Sequence, residues 1–196
     1  RTSHGLILAK GGEKMSKSKG NVVNPDNVVK TFGADTLRMY EMFMGPFGEP
    51  IAWSEDNIFG VRRFLERVWR LSERVGNKPK RTLNTSEAKA MTVKFEIIFN
   101  KTIKKVSDDI ESMSFNTAVS SMMILLNEME KFESISKKNF ELFLKILSPF
   151  APHITEELWN MLGHKKMIAL EKWPKADPKK LQELDVKIAI QINSRV

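Results

Sequence analysis

From Ser54 to Gly163 the apolar residues recur at steps of three and four with little interruption, and this periodicity constrains the fold more than any other feature. Such spacing puts one apolar stripe on each of several helices, and such stripes are buried by packing against one another. Phe64, Val68, Leu71 and Val75 define the first stripe, widened by Leu65 and Trp69, until Gly76-Asn77 and Pro79 stop it. Its start is expected at Ser54, where the hydroxyl can cap free amides and Glu55 and Asp56 sit at the positive helix end. A second helix is predicted from Ser86, burying Met91, Phe95, Ile98, Val106, Ile110 and Met113. A third starts near Ser114 or Asn116 and buries Val119, Met122, Leu126 and Met129. The fourth carries Phe140, Leu144 and Leu147, is kinked at Pro149 and Pro152, and resumes through "HITEELWNML" to Gly163. The predicted fold is mainly α, an antiparallel bundle of four or five helices joined by short polar links.

The first 52 residues read differently, as a small mixed α/β connector. Leu6 to Ala9 suggests a strand ending in a turn at Lys10-Gly11-Gly12. Asn24-Pro25 marks another turn, before a short helix over Asp26 to Phe32 that Gly33 interrupts. A further helix from Ala34 is expected to bury Leu37, Tyr40 and Met44 before "GPFGEP" breaks it. The chain thus divides into residues 1–52, a bundle over 53–165, and a tail over 166–196. In that tail "KWPKADPKK" reads as a linker and "LDVKIAIQINSRV" as the first strand of a further unit. An opening without Met and an end on an alternating pattern suggest a section of a longer protein.

The 196 residues include 41% hydrophobic side chains, enough for a real core, and carry a net charge of +8, which favours polyanionic partners. There is no cysteine, so disulfides and thiolate metal sites are excluded, and His4, His153 and His164 lack metal-ligand spacing. No apolar run approaches a membrane span, and "RTSHGLILAKGG" does not have the form of a secretory signal. A cytoplasmic setting is expected.

The stretch with the most chemistry is "KMSKSKGN", Lys14 to Asn21. Serine hydroxyls and backbone amides can donate to phosphate oxygens while ammonium groups balance their charge. The spacing is not that of a P-loop NTPase. Lys14 and Lys17 lie three apart, so in an irregular loop both could converge on one triphosphate as pyrophosphate leaves. Gly11, Gly12 and Gly20 at its borders would let the loop open and close. The other reading is a lysine-rich solvated loop.

"KMSKS" followed by "KGNVVNPDNVVKTFGADTLR" resembles the second signature of the class I aminoacyl-tRNA synthetases. "LRMYEMFMGPF" and "WSEDNIFGVRRFLERVWRL" are similar to the leucyl-tRNA synthetase family of bacterial type, more than to the isoleucyl, valyl or methionyl families. "FNTAVSSMMILLNEM" and "ILSPFAPHITEELWNMLG" resemble that family's helical domain, and "VKIAIQINSRV" the first strand of its C-terminal domain. The resemblance implies that the full enzyme activates leucine with ATP and Mg2+ to leucyl-adenylate and pyrophosphate, then transfers leucyl to tRNA(Leu). It assigns Lys14 and Lys17 to catalysis and Lys14, Met15, Ser16, Lys17 and Ser18 to ATP binding, with the Met15 backbone near adenine. His4-Gly5 departs from the Gln-Gly expected of bacterial relatives. His4 is not expected to act as a base, because the attacking carboxylate is already ionised. The family's first signature, His-Ile-Gly-His, does not occur in this sequence, so the chain alone is expected to be inactive. No metal ligands are expected here.

Arg63, Arg67, Arg70 and Arg74 step by four, three and four on the first bundle helix, about a quarter-turn from the Phe64 stripe, with Arg62 beside them and Lys78, Lys80 and Arg81 following. A one-sided guanidinium row suits phosphate-backbone contact. The alternative is a solvated face partly paired with Glu66 and Glu73. With the resemblance, the row is expected to bind the tRNA body at stem and elbow, reading shape rather than bases. Trp69 and Trp159 are expected in the core rather than as stacking platforms, and the methionines, among them Met42, Met44, Met122 and Met123, as core filling. His153 is read as structural. A monomer is expected. Three competing readings remain: an isoleucyl or valyl synthetase fragment, a stand-alone RNA-binding module, and a structural scaffold without RNA affinity.

Overall fold

A computed structural model describes residues 3–76 and 86–181 of the chain. Two short strands, β1 (Ile7–Leu8) and β2 (Ile51–Ala52), pair in parallel with Ile7 opposite Ile51. Between them lie α1 (Pro25–Phe32) and α2 (Ala34–Phe43). The bundle follows as α3 (Glu55–Ser72), α4 (Ser86–Glu111), α5 (Phe115–Met129), α6 (Lys137–Leu147) and α7 (Pro152–Met161). The architecture is the mainly helical one read from the sequence, with a small α/β connector in front. The strand pairing brings the chain back on itself at Gly5, where a Cβ would overlap the Glu49 carbonyl, so only glycine fits.

One continuous apolar core runs from the connector into the bundle, from Leu37, Tyr40 and Trp53 through Phe64, Val68 and Leu71 to Phe140, Leu144 and Leu147. Val119, Met122, Leu126 and Met129 on α5 are all fully buried, as their spacing requires. On α4 the buried face is Phe95, Phe99, Ile103 and Val106; Met91 and Met113, expected inside, are exposed. Met113 lies past the end of α4 with φ of 57°, in the turn that reverses the chain into α5, so it cannot continue the stripe. Met44 likewise falls just past α2 and is half-buried against the core.

Two further expectations are corrected, and the tail adds an observation. Ser54 precedes α3, but its hydroxyl makes no capping bond; its backbone N–H and C=O are bound instead by the Tyr40 hydroxyl, at 3.0 and 2.8 Å. Pro149 and Pro152 do not kink one helix; they separate two, with Pro152 in the first turn of α7, where its missing N–H costs nothing. The stretch read as a linker is tied down as far as residue 181. Trp173 Nε1 donates to Ser107 Oγ at 2.8 Å, the Asp177 N–H to Asn100 Oδ1 at 2.8 Å, and Lys180 pairs with Glu96 at 2.9 Å. Lys78, Lys80, Arg81 and the stretch "VKIAIQINSRV", read from the sequence as a strand, lie outside the described residues.

Candidate phosphate loop and tRNA interface

The loop begins where β1 turns back on itself. Gly12 N–H donates to the Ala9 carbonyl at 2.9 Å and Ala9 N–H to the Glu13 carbonyl at 2.7 Å, which brings Lys14 alongside Leu8 in an antiparallel bridge. Gly11, Gly12 and Gly20 all have positive φ, at 108°, 84° and 65°, so both ends of the loop use backbone that other residues adopt only with strain. Between them Lys17–Lys19 makes one tight 3-10 turn closed by Gly20 N–H to the Lys17 carbonyl at 3.2 Å. Met15 is half-buried against the core and anchors the segment.

Polar contacts then sort the cations. Lys19 Nζ pairs with Glu13 Oε2 at 2.9 Å, an exposed pair of small energetic weight that still spends one charge locally. Lys14 and Lys17 are exposed, and no carboxylate among the described residues pairs with either. The Ser16 and Ser18 hydroxyls share a hydrogen bond of 2.7 Å. Asn21, whose residue type alone gives no hint of a role, closes the loop: its Oδ1 accepts the Ser16 N–H at 2.8 Å and its Nδ2 donates to the Lys14 carbonyl at 3.4 Å. The result is a short cationic turn with two uncommitted ammonium groups and two hydroxyls, a donor set suited to phosphate oxygens. His4 is exposed, its Nδ1 2.8 Å from the Gly5 carbonyl oxygen.

The arginine row divides, and its last member, Arg74, lies just past the end of α3 rather than on it. Arg67 and Arg74 are half-buried and turn onto the end of α5. Arg67 forks onto Glu130, with Nε to Oε1 at 3.1 Å and Nη2 to Oε2, and also donates to Asn127 Oδ1 at 2.6 Å. Arg74 donates to the carbonyls of Glu130 and Glu133 at 3.1 and 3.4 Å. The Arg67 hydrogen bonds hold the Glu130 carboxyl below its usual range against the opposing effect of burial. Arg63 and Arg70 are exposed, with no hydrogen bond or ion pair to a described residue. Arg62 Nε pairs with Glu66 at 2.8 Å while Nη1 donates to the Phe32 carbonyl at 2.9 Å, joining α3 to the end of α1.

A second joint between connector and bundle was not foreseen. Asp35, at the start of α2 and 8% exposed, accepts the N–H groups of His153 and Ile154 at 3.2 and 2.7 Å and faces His153 Nδ1 at 2.7 Å. It caps the positive end of α7 from another element. Arg38 adds a bond of 3.0 Å to the Pro149 carbonyl. The expected structural role of His153 agrees with this contact.

Residues 94–196 match the model of the anticodon-binding domain of tRNA ligases, and residues 2–54 that of the class I tRNA synthetases for I, L, M and V. The chain belongs to the class I aminoacyl-tRNA synthetases. A leucyl-tRNA synthetase from Agrobacterium radiobacter K84, solved as a ternary complex with tRNA and LeuAMS, matches at a TM-score of 0.78 and 30% identity over 91% of this chain. A Mycobacterium tuberculosis methionyl-tRNA synthetase in complex with methionyl-adenylate shares the fold, with a TM-score of 0.60 and 18% identity over 83% of this chain. This synthetase chain spans 24% of the leucyl enzyme's length and 38% of the methionyl enzyme's. No helix among its described residues is long and apolar enough to cross a membrane.

The tryptophans of this synthetase chain separate by position. Trp159 is in the core at 2% exposure, with Nε1 donating to the Lys166 carbonyl at 3.0 Å and the His164 ring stacked on it at 3.7 Å. Trp69, also expected inside, is 39% exposed and lines an open cleft of about 800 Å³ between the α1–α2 turn, α3 and the start of α7. It stands next to the apolar stripe at its edge, which periodicity cannot distinguish from the inside.

Proposed function

We propose that the chain is the signature-loop and tRNA-binding portion of a leucine–tRNA ligase that works as a monomer in the cytoplasm. Residues 1–52 would close the catalytic domain, 53–165 would hold tRNA, and 166–196 would lead into a C-terminal unit. The observation that carries the reading is the pair of ammonium groups, Lys14 and Lys17, that no carboxylate among the described residues pairs with, on a glycine-bordered turn whose other donors are hydroxyls and amides. Leucine carboxylate would attack the α-phosphorus of ATP and pyrophosphate would leave. Lys17, assisted by Lys14, would meet the charge developing on the departing phosphates, while Ser16, Ser18 and the Met15 backbone shape the ATP contact. The loop supplies positioning and charge and transfers no proton. Cationic and N–H donors do not fit Mg2+, and among the described residues no group of three or more His, Cys, Asp or Glu could hold a metal. Mg2+ would therefore enter with the ATP phosphates.

Arg63 and Arg70 are the row members free to meet tRNA phosphates; Arg67 and Arg74 hold the bundle that presents them. Leucine is supported by the 30% identity to a leucyl enzyme along 91% of the chain, against 18% to a methionyl enzyme along 83%. ATP–pyrophosphate exchange by the complete protein tests the choice: stimulation by leucine and not by the other three is the expected result, and stimulation by isoleucine, valine or methionine instead overturns it.

A further inference from the structure

The cleft beside Trp69 is not explained by the loop or by the arginine row. Its floor and sides are apolar, formed by Phe32, Leu65, Trp69 and Ile154. At about 800 Å³ it lies within the roughly 300–1,000 Å³ of clefts that take small organic groups. The acidic groups on its wall are committed elsewhere, Glu66 to Arg62 and Asp35 to the start of α7. Arg70, also on the wall, makes no hydrogen bond or ion pair with a described residue. A half-exposed indole beside a guanidinium that no hydrogen bond holds, though the Glu130 carboxylate attracts it, suits a planar ring carrying an anionic group.

We infer that this cleft receives one unpaired nucleotide of the bound tRNA, its base stacked on Trp69 and its phosphate held by Arg70. The inference rests on the tRNA-binding reading and deepens it. Arg63 and Arg70 are seven residues apart on α3, hence on nearly the same face about 10 Å apart along the axis. A strand whose backbone follows that face passes the mouth of the cleft, where an unpaired base can leave the strand and a paired one cannot. Stacking on an aromatic ring tolerates any base, so the cleft reads the presence of an unpaired nucleotide rather than its identity.

The test is a titration of the complete protein with a tRNA(Leu) transcript at several salt concentrations. Trp69→Ala is expected to weaken binding about ten-fold with an unchanged salt slope, and Trp69→Phe to stay within about three-fold of wild type. Arg70→Gln is expected to lower the slope by about one. Ultraviolet crosslinking of the wild-type complex, read by mass spectrometry, should join the Trp69 peptide to a loop or bulge nucleotide, and it decides the matter if Trp69→Ala fails to fold. Steep, salt-dependent binding by wild type with equal binding by Trp69→Ala overturns the cleft and leaves the tRNA reading standing. Absence of any salt-dependent affinity in wild type overturns both. Crosslinks that avoid the Trp69 peptide, or a dimer lost in Trp69→Ala while tRNA binding is unchanged, also overturn the inference.

Discussion

Replacing Asp35 with alanine should loosen the joint between the loop-bearing connector and the bundle more than any other single surface-proximal change. The carboxylate accepts two backbone N–H groups at the first turn of α7, at 3.2 and 2.7 Å, and is 8% exposed. Loss of a capping side chain costs about 0.5–2 kcal/mol, and loss of a negative charge at a partly buried helix N-terminus up to about 2 more. The expected total is about 0.5–4 kcal/mol, which in a chain of this size lowers Tm by roughly 10 °C at the upper end. Asp35→Asn keeps one acceptor and should lose about half as much. His153→Ala removes only an imidazole from an exposed edge and should cost less than about 1 kcal/mol. Urea and thermal unfolding followed by circular dichroism measure all three. A loss below about 0.5 kcal/mol for Asp35→Ala, or a larger one for His153→Ala, would refute the cap as the source of the stability.

Tyr40→Phe leaves the Ser54 N–H and C=O without their hydroxyl partner and should cost about 1–3 kcal/mol in urea unfolding, although no apolar contact is lost. Glu130 is held below its ordinary pKa of 4.5 by Arg67, so its contribution is present above that value and is lost as pH falls through the lower folded one. Wild type should therefore lose stability more steeply than Glu130→Gln below about pH 4.5; parallel curves would count against the pairing. Charge reversal at Arg63 and Arg70 together should weaken tRNA binding and flatten its salt slope by about two with Tm unchanged. The same reversal at Arg67 should act mainly by lowering Tm, since that guanidinium is engaged with Glu130 and Asn127.

What the sequence made legible is what periodicity encodes. Val119, Met122, Leu126 and Met129 share a face because they step by three and four, and all are buried. The positive φ of Gly11, Gly12 and Gly20 likewise follows from residue type at a turn. Contacts between elements carry no such periodicity. Asp35 caps a helix 118 residues further on, and Tyr40 takes over the bonding of a residue 14 further on; nothing local to either announces its partner. Two signals were available and misread. Proline at the head of "PHITEEL" is a helix-start signature as much as a kink. Trp69 at the margin of the stripe was ambiguous, and its exposure follows from the α1–α2 turn leaving a gap there. Arg67 and Arg70 are neighbours on one face of the sequence pattern, yet only a partner on α5 distinguishes the structural guanidinium from the available one.

The most direct measurement is leucine-dependent ATP–pyrophosphate exchange by the complete protein carrying Lys17→Ala, with tRNA binding measured in parallel. If Lys17 meets the departing phosphates, exchange falls by about two orders of magnitude or more while tRNA affinity stays within about two-fold. Equal exchange rates in wild type and Lys17→Ala would contradict that role.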